Sequence, residues 1–299
     1  MHAFHRQDDF NQIRDFLINT YKLTNTFQNW IPSMFENMWR GPGGTEYQDE
    51  EDEYVRIWKN NADEIAAVTI CKPSGDCRIF IHPDFRDHEE ILVESLEKQR
   101  TDMKADDTPI KMYFVVEAGD TLRENLLTRH GYENKGVCEH NRVLPEYYEV
   151  STITLPKGYK IRQAVVEQDF EQYRAVQVSV FPHCSNMTRN LLKIYSEAEF
   201  YVPELDLVVV ASDGTFAAFA TGRIDPISKL AEVEPVGVHP DHRRKGLAKA
   251  VVLECIRRLQ KHNAKAIVIL GAASTERATN LYDSLGFNRT NMNAWVKEI

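Results

Sequence analysis

Residues 232–249 read EVEPVGVHPDHRRKGLAK, and this stretch decides the fold. Its first part is rich in valine, which is typical of a strand, and Pro240 ends the strand because proline cannot donate a backbone hydrogen bond to a neighbouring strand. After a basic turn, apolar residues recur at helical spacing from Leu247 to Leu259. The sequence therefore predicts a strand that passes through a basic, glycine-containing turn directly into a helix.

This turn is suited to binding a phosphate group. The first backbone amides of a helix have no acceptor within the helix, and the positive end of the helix dipole favours an anion. Gly246 lacks a Cβ atom, so a phosphate could approach the backbone closely. Positive charge surrounds the glycine on Arg243, Arg244, Lys245 and Lys249.

The basic turn and a second segment further along the chain resemble motifs of a known family. Residues 243–248, RRKGLA, resemble the (Gln/Arg)-x-x-Gly-x-(Gly/Ala) signature of the GCN5-related N-acetyltransferases, the GNAT family. Residues 236–240, VGVHP, look like that family's fourth strand, and residues 278–287 are similar to its C-terminal signature. The resemblance covers residues 159–299. It implies a mixed, mostly antiparallel twisted sheet flanked by helices, with a splay between strands 4 and 5.

The same features occur twice in the chain. Residues 81–86, IHPDFR, echo residues 238–243, VHPDHR, at an offset of 157. Residues 126–132 echo residues 281–287 at an offset of 155. Two echoes in the same order at nearly equal offsets indicate a duplicated fold. We therefore predict an α/β (α+β) protein with two tandem GNAT-like domains.

The predicted domains are residues 1–146 and 151–299, and they differ where a cofactor would bind. Glu89 stands at the place of Gly246, and Leu127 stands where the second copy has a tyrosine. A carboxylate at the start of a helix satisfies the helix dipole and repels a phosphate. We therefore predict that the first copy is degenerate and has a structural role, supplying at most one wall of a substrate pocket.

Three other segments carry expectations about the fold. The connection at residues 144–158 is too apolar for a free linker, and we expect it to pack, partly as a strand. Residues 41–53 are glycine-rich and then acidic, which predicts a mobile loop, with a lid over the site as the alternative. We expect residues 287–299 to complete the sheet of the second domain.

Composition limits the class of protein. A chain of 299 residues with 42% apolar content can form two globular domains. It has no apolar run of about 18 residues, so we predict no membrane span, and its N-terminus lacks the apolar core of a secretion signal. Five scattered cysteines without a C-x-x-C pair indicate free thiols in a reducing cytoplasm.

Charge is distributed unevenly along the chain. Residues 1–150 carry a net charge of −12, whereas residues 151–299 carry +3. Nucleic-acid binding is therefore disfavoured, because it normally needs a basic face. The acidic part could attract a cationic amine, or it could be a solvated face that aids solubility.

The resemblance implies transfer of an acetyl group from acetyl-CoA to the primary amine of a small-molecule acceptor. Backbone groups of the strand would pair with the pantetheine arm of acetyl-CoA, and the turn would hold its pyrophosphate. Thr275 departs from the family pattern, which often has asparagine there. The predicted cofactor-binding residues are Val236, Gly237, Val238, Arg243, Arg244, Lys245, Gly246, Leu247, Ala248, Lys249, Thr275 and Asn280.

Catalysis would need a proton donor and a base. Tyr282 occupies the family's usual tyrosine position, so its phenol could donate to the CoA sulfur; the alternative is a core tyrosine. Glu232 and Glu234 alternate on the strand and share one face, and we prefer Glu234 as the base because it lies nearer the splay. The alternative for Glu234 is a salt-bridged or edge carboxylate. His183 and His239 are further candidates.

Other functions remain open at this level. We predict no metal site, because no set of His, Cys, Asp and Glu has ligand spacing. A non-catalytic acyl-CoA-binding module would keep the phosphate turn without a working acid or base. An adaptor would dock a basic partner on its acidic half in a salt-sensitive way. The predicted state is a monomer or homodimer, with no nucleic-acid or membrane partner.

Overall fold

The computed structural model describes residues 1–41, 52–103 and 109–299, and these form two halves with the same order of elements, β-α-α-β-β-β-α-β-α-β. The first half comprises β1 (His2–Ala3), α1 (Arg6–Thr24), α2 (Pro32–Arg40), β2 (Val55–Lys59), β3 (Ile65–Cys71), β4 (Asp76–Ile81), α3 (Glu89–Asp102), β5 (Lys111–Glu117), α4 (Thr121–Arg129) and β6 (Glu133–Val143). The second comprises β7 (Lys160–Gln163), α5 (Val166–Val180), α6 (Arg189–Ser196), β8 (Tyr201–Val210), β9 (Phe216–Ile224), β10 (Leu230–Val238), α7 (Leu247–Lys261), β11 (Ala266–Ala273), α8 (Glu276–Asp283) and β12 (Asn288–Glu298). The predicted α/β class, with two tandem copies of one fold, is confirmed.

The strands of both halves form one continuous sheet. Its order is β1-β2-β3-β4-β5-β12-β6-β11-β10-β9-β8-β7. Neighbouring strands are antiparallel except in two pairs, β4 with β5 and β10 with β11. Both parallel pairs connect through a helix, α3 or α7, as parallel strands require.

The last strands of the two halves are exchanged. β6 belongs to the first half by sequence but pairs with β11, with Val143 opposite Val268. β12 pairs with β5, with Trp295 opposite Phe114. Our expectation that residues 287–299 would complete the sheet of the second half is therefore wrong. Because the exchanged strands cross the sequence division, the domain boundaries at 146 and 151 stay predictions.

Helix α7 packs closely on the sheet beside the basic turn. Its residues Leu247, Val251, Cys255 and Leu259 are all buried, as their spacing of four predicts. Gly222 of β9 allows this approach, because a Cβ atom there would lie only 2.9 Å from the Cys255 sulfur. The strand, turn and helix that the sequence predicts for residues 232–259 are thus present and anchored in the core.

Two predicted connecting segments, residues 144–158 and residues 41–53, can be compared with the structure to different extents. The connection at 144–158 packs against the core of the second half through Tyr148, Val150, Ile153 and Leu155, as expected. It contains no strand, and that part of the prediction is wrong. The loop predicted at 41–53 falls mostly on residues 42–51, which lie outside the described residues.

The halves are joined by polar contacts as well as by the sheet. Arg14 of α1 is 3% exposed and donates through Nε to Asp225 at 2.7 Å. Ser33 of α2 donates to Glu232 of β10 at 3.0 Å. Helices of the first half therefore lie directly against the strand that carries the predicted site. None of the helices in the described segments has the length and apolar content needed to cross a bilayer.

Candidate active site

The central feature of the second half is a gap between β10 and β11. The two strands pair only where Leu230–Glu232 lies beside the start of β11, although both strands continue beyond that point. On the other side of β10, His239 donates its amide to Ala217 of β9 at 2.9 Å. Backbone groups alternate in direction along a strand, so those of Val236 and Val238 are directed toward the gap. This is the splay that the family resemblance predicts.

Gly237, between these valines, has a packing role. A Cβ atom at this position would lie 2.4 Å from the ring of Phe219, so a larger residue could not keep this backbone path. The carbonyl of Val238 already accepts a hydrogen bond from Arg243 Nε at 3.3 Å. The Val238 carbonyl, which we predict to contact the pantetheine arm, therefore already has a hydrogen-bond partner within the chain.

The basic turn exposes the start of α7. Arg244 and Gly246 both adopt left-handed backbone conformations, with φ of 65° and 76°. A Cβ atom at Gly246 would meet nothing within 4 Å, so the space in front of the helix is open. The amide of Ala250 bonds to the Gly246 carbonyl at 3.1 Å, and helix geometry leaves the amides of residues 247–249 without an intrahelical acceptor. The turn therefore fits an anion such as a pyrophosphate.

The basic side chains around this turn are exposed and contact neighbouring groups. Lys245 Nζ lies 3.0 Å from the hydroxyl of Tyr159, and Lys249 Nζ lies 3.4 Å from the carbonyl of Ser284 at the end of α8. Leu247, in contrast, is buried in the core, and Ala248 is half-buried. The start of the helix is thus anchored in the core by Leu247, whereas the basic side chains lie at the surface.

Two predicted cofactor contacts lie on α8. Thr275 is the N-cap of this helix and accepts a hydrogen bond from the Ala278 amide at 3.4 Å. Its hydroxyl therefore has a structural task. Asn280 is exposed on the same helix.

Glu234 and Glu232 have different environments on β10. Glu232 is 1% exposed, accepts from Ser33, and forms an ion pair with Arg223 at 3.3 Å. Glu234 is half-buried, and burial raises its pKa to about 7, with Arg223 opposing the shift and Glu232 adding to it. Glu234 therefore has the protonation behaviour of a base that works near neutral pH.

Glu234 faces a cavity of about 450 Å³, which we call the central cavity. Trp30 and Met34 of the first half line one side, and Phe181 and His183 line another. The expectation that the first half supplies a wall of the pocket agrees with this geometry. Glu232 and Arg223 also line the cavity but form an ion pair with each other, so Glu234 is the carboxylate that could meet a cationic group of a small molecule.

Tyr282 lies within electrostatic reach of Glu234. Its side chain is 6% exposed, and burial raises its pKa above the ordinary value, to which the charge of Glu234 adds. The guanidinium of Arg142, 5.2 Å from the ring centroid, opposes that rise in pKa. The charge of Glu234 therefore acts on Tyr282, the other side chain that we predict to move a proton.

Two arginines of the site were missed by the sequence reasoning. Arg223 is buried on β9 beside Glu232, and an alternating strand could have indicated it. Arg142 reaches the site only through the exchanged strand β6, and no sequence signal predicts that. His239 accepts a hydrogen bond from the Asp241 amide at 3.3 Å, which holds the turn. Within the described residues, we find no cluster of three His, Cys, Asp or Glu side chains that could hold a metal ion.

A splayed strand pair and an open, basic turn before a helix fit an enzyme that binds a phosphate-containing cofactor. Residues 169–287 match the family model described as Acetyltransferase (GNAT) family. Mycothiol acetyltransferase from Pseudarthrobacter chlorophenolicus is 27% identical over 239 residues, covering 76% of this chain and 71% of that protein. The protein of the same name from Paenarthrobacter aurescens is 25% identical over 242 residues, covering 76% and 72%.

Solved structures agree over the whole chain. A GCN5-related N-acetyltransferase from Sphaerobacter thermophilus has a TM-score of 0.70 at 18% identity, covering 99% of this chain and 94% of that one. A tandem GNAT protein from the clavulanic acid biosynthesis pathway has a TM-score of 0.67 at 12% identity, covering 99% and 97%. At these identities the likeness shows the fold. The family match covers residues 169–287, in the second half of the chain, and together with the mycothiol acetyltransferase relatives it makes the chain an acyltransferase.

Proposed function

We propose that the chain is an N-acetyltransferase that moves an acetyl group from acetyl-CoA to the primary amine of a small molecule. The single observation that supports this most is the position of Glu234, a carboxylate with a pKa of about 7, in the central cavity at the end of the splay. The open turn at Gly246 supports acetyl-CoA as the donor. The relatives named mycothiol acetyltransferases support a small-molecule acceptor.

The turn, strand β10, Glu234 and Tyr282 have separate roles in this reaction. The turn and the edge of β10 bind and orient acetyl-CoA, which supplies the activated acetyl thioester. Glu234 accepts a proton from the ammonium group of the acceptor, directly or through water, so that the free amine can attack the thioester carbonyl. Tyr282 donates its phenol proton to the departing sulfur, which leaves as a thiol.

The central cavity sets the kind of acceptor. Its volume of about 450 Å³ is that of a small-molecule site, and its walls come from both halves of the chain. Trp30, Met34 and Phe181 offer apolar contact around the carboxylate of Glu234. We infer an acceptor with an apolar or ring-shaped body and one primary amine. We also infer that the reaction takes place in the cytoplasm, where the five free cysteines would stay reduced.

The test is a screen for thiol release from acetyl-CoA with a panel of amines that includes amino sugars, diamines and aryl-alkyl amines. Acetylated products are identified by mass spectrometry. With the best acceptor, Glu234→Gln should lower kcat/KM by about 10²- to 10⁴-fold, because the base is lost while acetyl-CoA binding is kept. Tyr282→Phe should lower kcat, because the proton donor for the leaving sulfur is lost.

Matched controls come from the first half. Glu117→Gln removes a half-buried strand carboxylate whose pKa is also raised by burial, and Tyr132→Phe removes another buried phenol. Both should leave kcat/KM unchanged. If no amine promotes thiol release although acetyl-CoA binds, a binding module without turnover becomes the better interpretation. Equal loss in Glu117→Gln and Glu234→Gln would remove Glu234 as the base.

A further inference from the structure

Arg142 is a buried charged residue whose presence the fold alone does not explain. It is 0% exposed, and it lies on the exchanged strand β6, opposite Ile269 of β11. By sequence it belongs to the first half, yet its surroundings are those of the second. Burying a cation costs several kcal/mol unless it is well paired, so such a position needs a reason.

The contacts of Arg142 are few, and they centre on α8. Its guanidinium carbon lies 5.2 Å from the ring centroid of Tyr282, and Nη2 lies 3.4 Å from the hydroxyl of Thr279. Nε and Nη1 are buried and have no hydrogen-bond partner among the described residues. The guanidinium therefore stacks on one phenol while most of its donors remain unsatisfied, which is a poor arrangement for stability.

We propose that Arg142 is a positioning residue for Tyr282, which orients the phenol and stabilises the negative charge that forms on its oxygen. This rests on the proposed acetyl transfer. As the amine forms its bond to the acetyl carbon, the C–S bond breaks and its electron pair stays on sulfur. Sulfur takes the proton of Tyr282, which becomes a phenolate beside Arg142. The acylated nitrogen then loses its second proton, which passes through solvent to the Tyr282 phenolate, and the proton that Glu234 took from the ammonium is released to solvent, so charge and protons balance.

The groups around Tyr282 explain why a cation is needed. Burial of the Tyr282 side chain disfavours the phenolate, and Glu234 on β10 adds to this whenever its carboxylate is unprotonated. Phe287, whose ring centroid is 6.1 Å away, is apolar. Arg142 supplies the opposing positive charge from β6. One strand of the first half thus completes the proton donor of the second.

The test is a double-mutant cycle of Arg142→Met and Tyr282→Phe in the full chain. In the native background, Arg142→Met should lower kcat by about tenfold or more, because a charge that forms in the transition state loses its stabilising partner. In the Tyr282→Phe background, the same change should have no effect, since no phenolate forms. Arg142→Lys keeps the charge and should retain more activity than Arg142→Met. Acetyl-CoA affinity, measured by calorimetry, should not change.

A second readout separates this role from a structural one. Arg142→Met replaces an incompletely paired buried cation with an apolar side chain, so its melting temperature should stay equal or rise. Arg289→Met is the matched control: it removes an arginine from the neighbouring strand β12 that pairs with Asp283 at 3.4 Å. This control should leave kcat unchanged.

Two results would overturn the proposal while acetyl transfer stands. One is an equal loss of kcat in both backgrounds, and the other is a lower melting temperature for Arg142→Met together with that loss. If Arg142→Met does not fold, Arg142→Gln, which also removes the charge, is compared in the native and the Tyr282→Phe backgrounds instead. A native enzyme that releases no thiol with any amine would instead overturn the proposed function.

Discussion

The two halves contain the same turn before a helix and differ in what lies in front of it. In each half a histidine closes the turn by accepting a hydrogen bond from the amide two residues later. The distances are 3.2 Å from the Asp84 amide to His82 and 3.3 Å from the Asp241 amide to His239. The scaffold of the turn has therefore been kept in both copies.

The start of the helix shows the difference. In the second half, Gly246 leaves open space, and a Cβ atom there would meet nothing within 4 Å. In the first half, Glu89 is 1% exposed and forms ion pairs with Arg86 and Arg123. The carboxylate of Glu89 thus occupies the place in the first half that corresponds to where we propose that the second half binds a phosphate. An anion site can be lost without loss of the fold when a carboxylate of the chain replaces the ligand and satisfies the same helix dipole.

The largest expected effect comes from giving the second half the residue of the first. Gly246→Glu should weaken acetyl-CoA binding by about 4 kcal/mol, roughly a thousandfold in Kd, because a carboxylate would stand about 4 Å from the phosphate. Calorimetric titration measures this directly. We expect one site per chain in the native protein and none in the variant.

Gly246→Ala is the control for this change. It carries the same backbone strain at a φ of 76° without the charge, and the strain amounts to about 1 kcal/mol. If the native protein bound two molecules of acetyl-CoA per chain in this titration, the turn at Glu89 would also be a binding site. Equal losses in Gly246→Ala and Gly246→Glu would show that strain, and not charge, separates the halves.

A slightly smaller effect is expected from opening the turn of the first half. Glu89→Gln should lower the free energy of unfolding by about 3 kcal/mol, because Arg123 would lose its buried counter-ion, whereas Arg86 would keep Asp120. Urea denaturation measures the change. Glu90→Gln, at a neighbouring side chain that is 53% exposed, should change the free energy of unfolding by less than about 1 kcal/mol. Equal stability of the two variants would mean that Glu89 does not replace an anion.

The halves also differ in their chemistry, and the pH dependence of activity tests that difference. By the offset of 157, buried Cys77 stands where Glu234 stands in the second half. Glu234 must be unprotonated to accept a proton, so kcat/KM should rise with pH up to about 7 and level off above. Glu232→Gln removes a negative charge that raises this pKa, so the rise should move to lower pH by about one unit.

The measurement is kcat/KM against pH for the native enzyme and for Glu232→Gln. Glu117→Gln in the first half is the control, and its profile should match that of the native enzyme. A profile for Glu232→Gln that moves to higher pH would contradict the electrostatic assignment. A native profile that is flat between pH 5 and about 8 would remove Glu234 as the base.

The sequence predicts those features of the site that depend on residues close together in the chain, and it does not predict those that depend on contacts between distant segments. The turn at Gly246 and its closed counterpart at Glu89 were predictable, because residue spacing, helix dipole and charge act within a few residues. The shared face of Glu232 and Glu234 followed from strand alternation. Their different burial did not, because Ser33 of α2 and Arg223 of β9 meet Glu232 only in the folded chain.

The exchange of the last strands was not predictable from the residues. β6 and β12 hold equivalent places in the two copies, so their patterns fit either neighbouring strand. Arg142 enters the site only because of this exchange. The strand that we expected within residues 144–158 is absent for a reason that the sequence itself contains. Pro145 and Pro156 cannot donate backbone hydrogen bonds to a neighbouring strand.

The smallest effect concerns the side-chain charge at the open turn. Lys245 is exposed, and its ammonium contacts the Tyr159 hydroxyl at 3.0 Å, so solvent screens most of its charge. Lys245→Met should weaken acetyl-CoA binding by about 0.5 kcal/mol, roughly two- to threefold in Kd, and high salt should abolish the difference. Lys261→Met, at the far end of α7, should bind as the native protein does. If Lys245→Met instead weakened binding as much as Gly246→Glu, side-chain charge would hold the phosphate, and the open backbone would no longer explain why only one half binds.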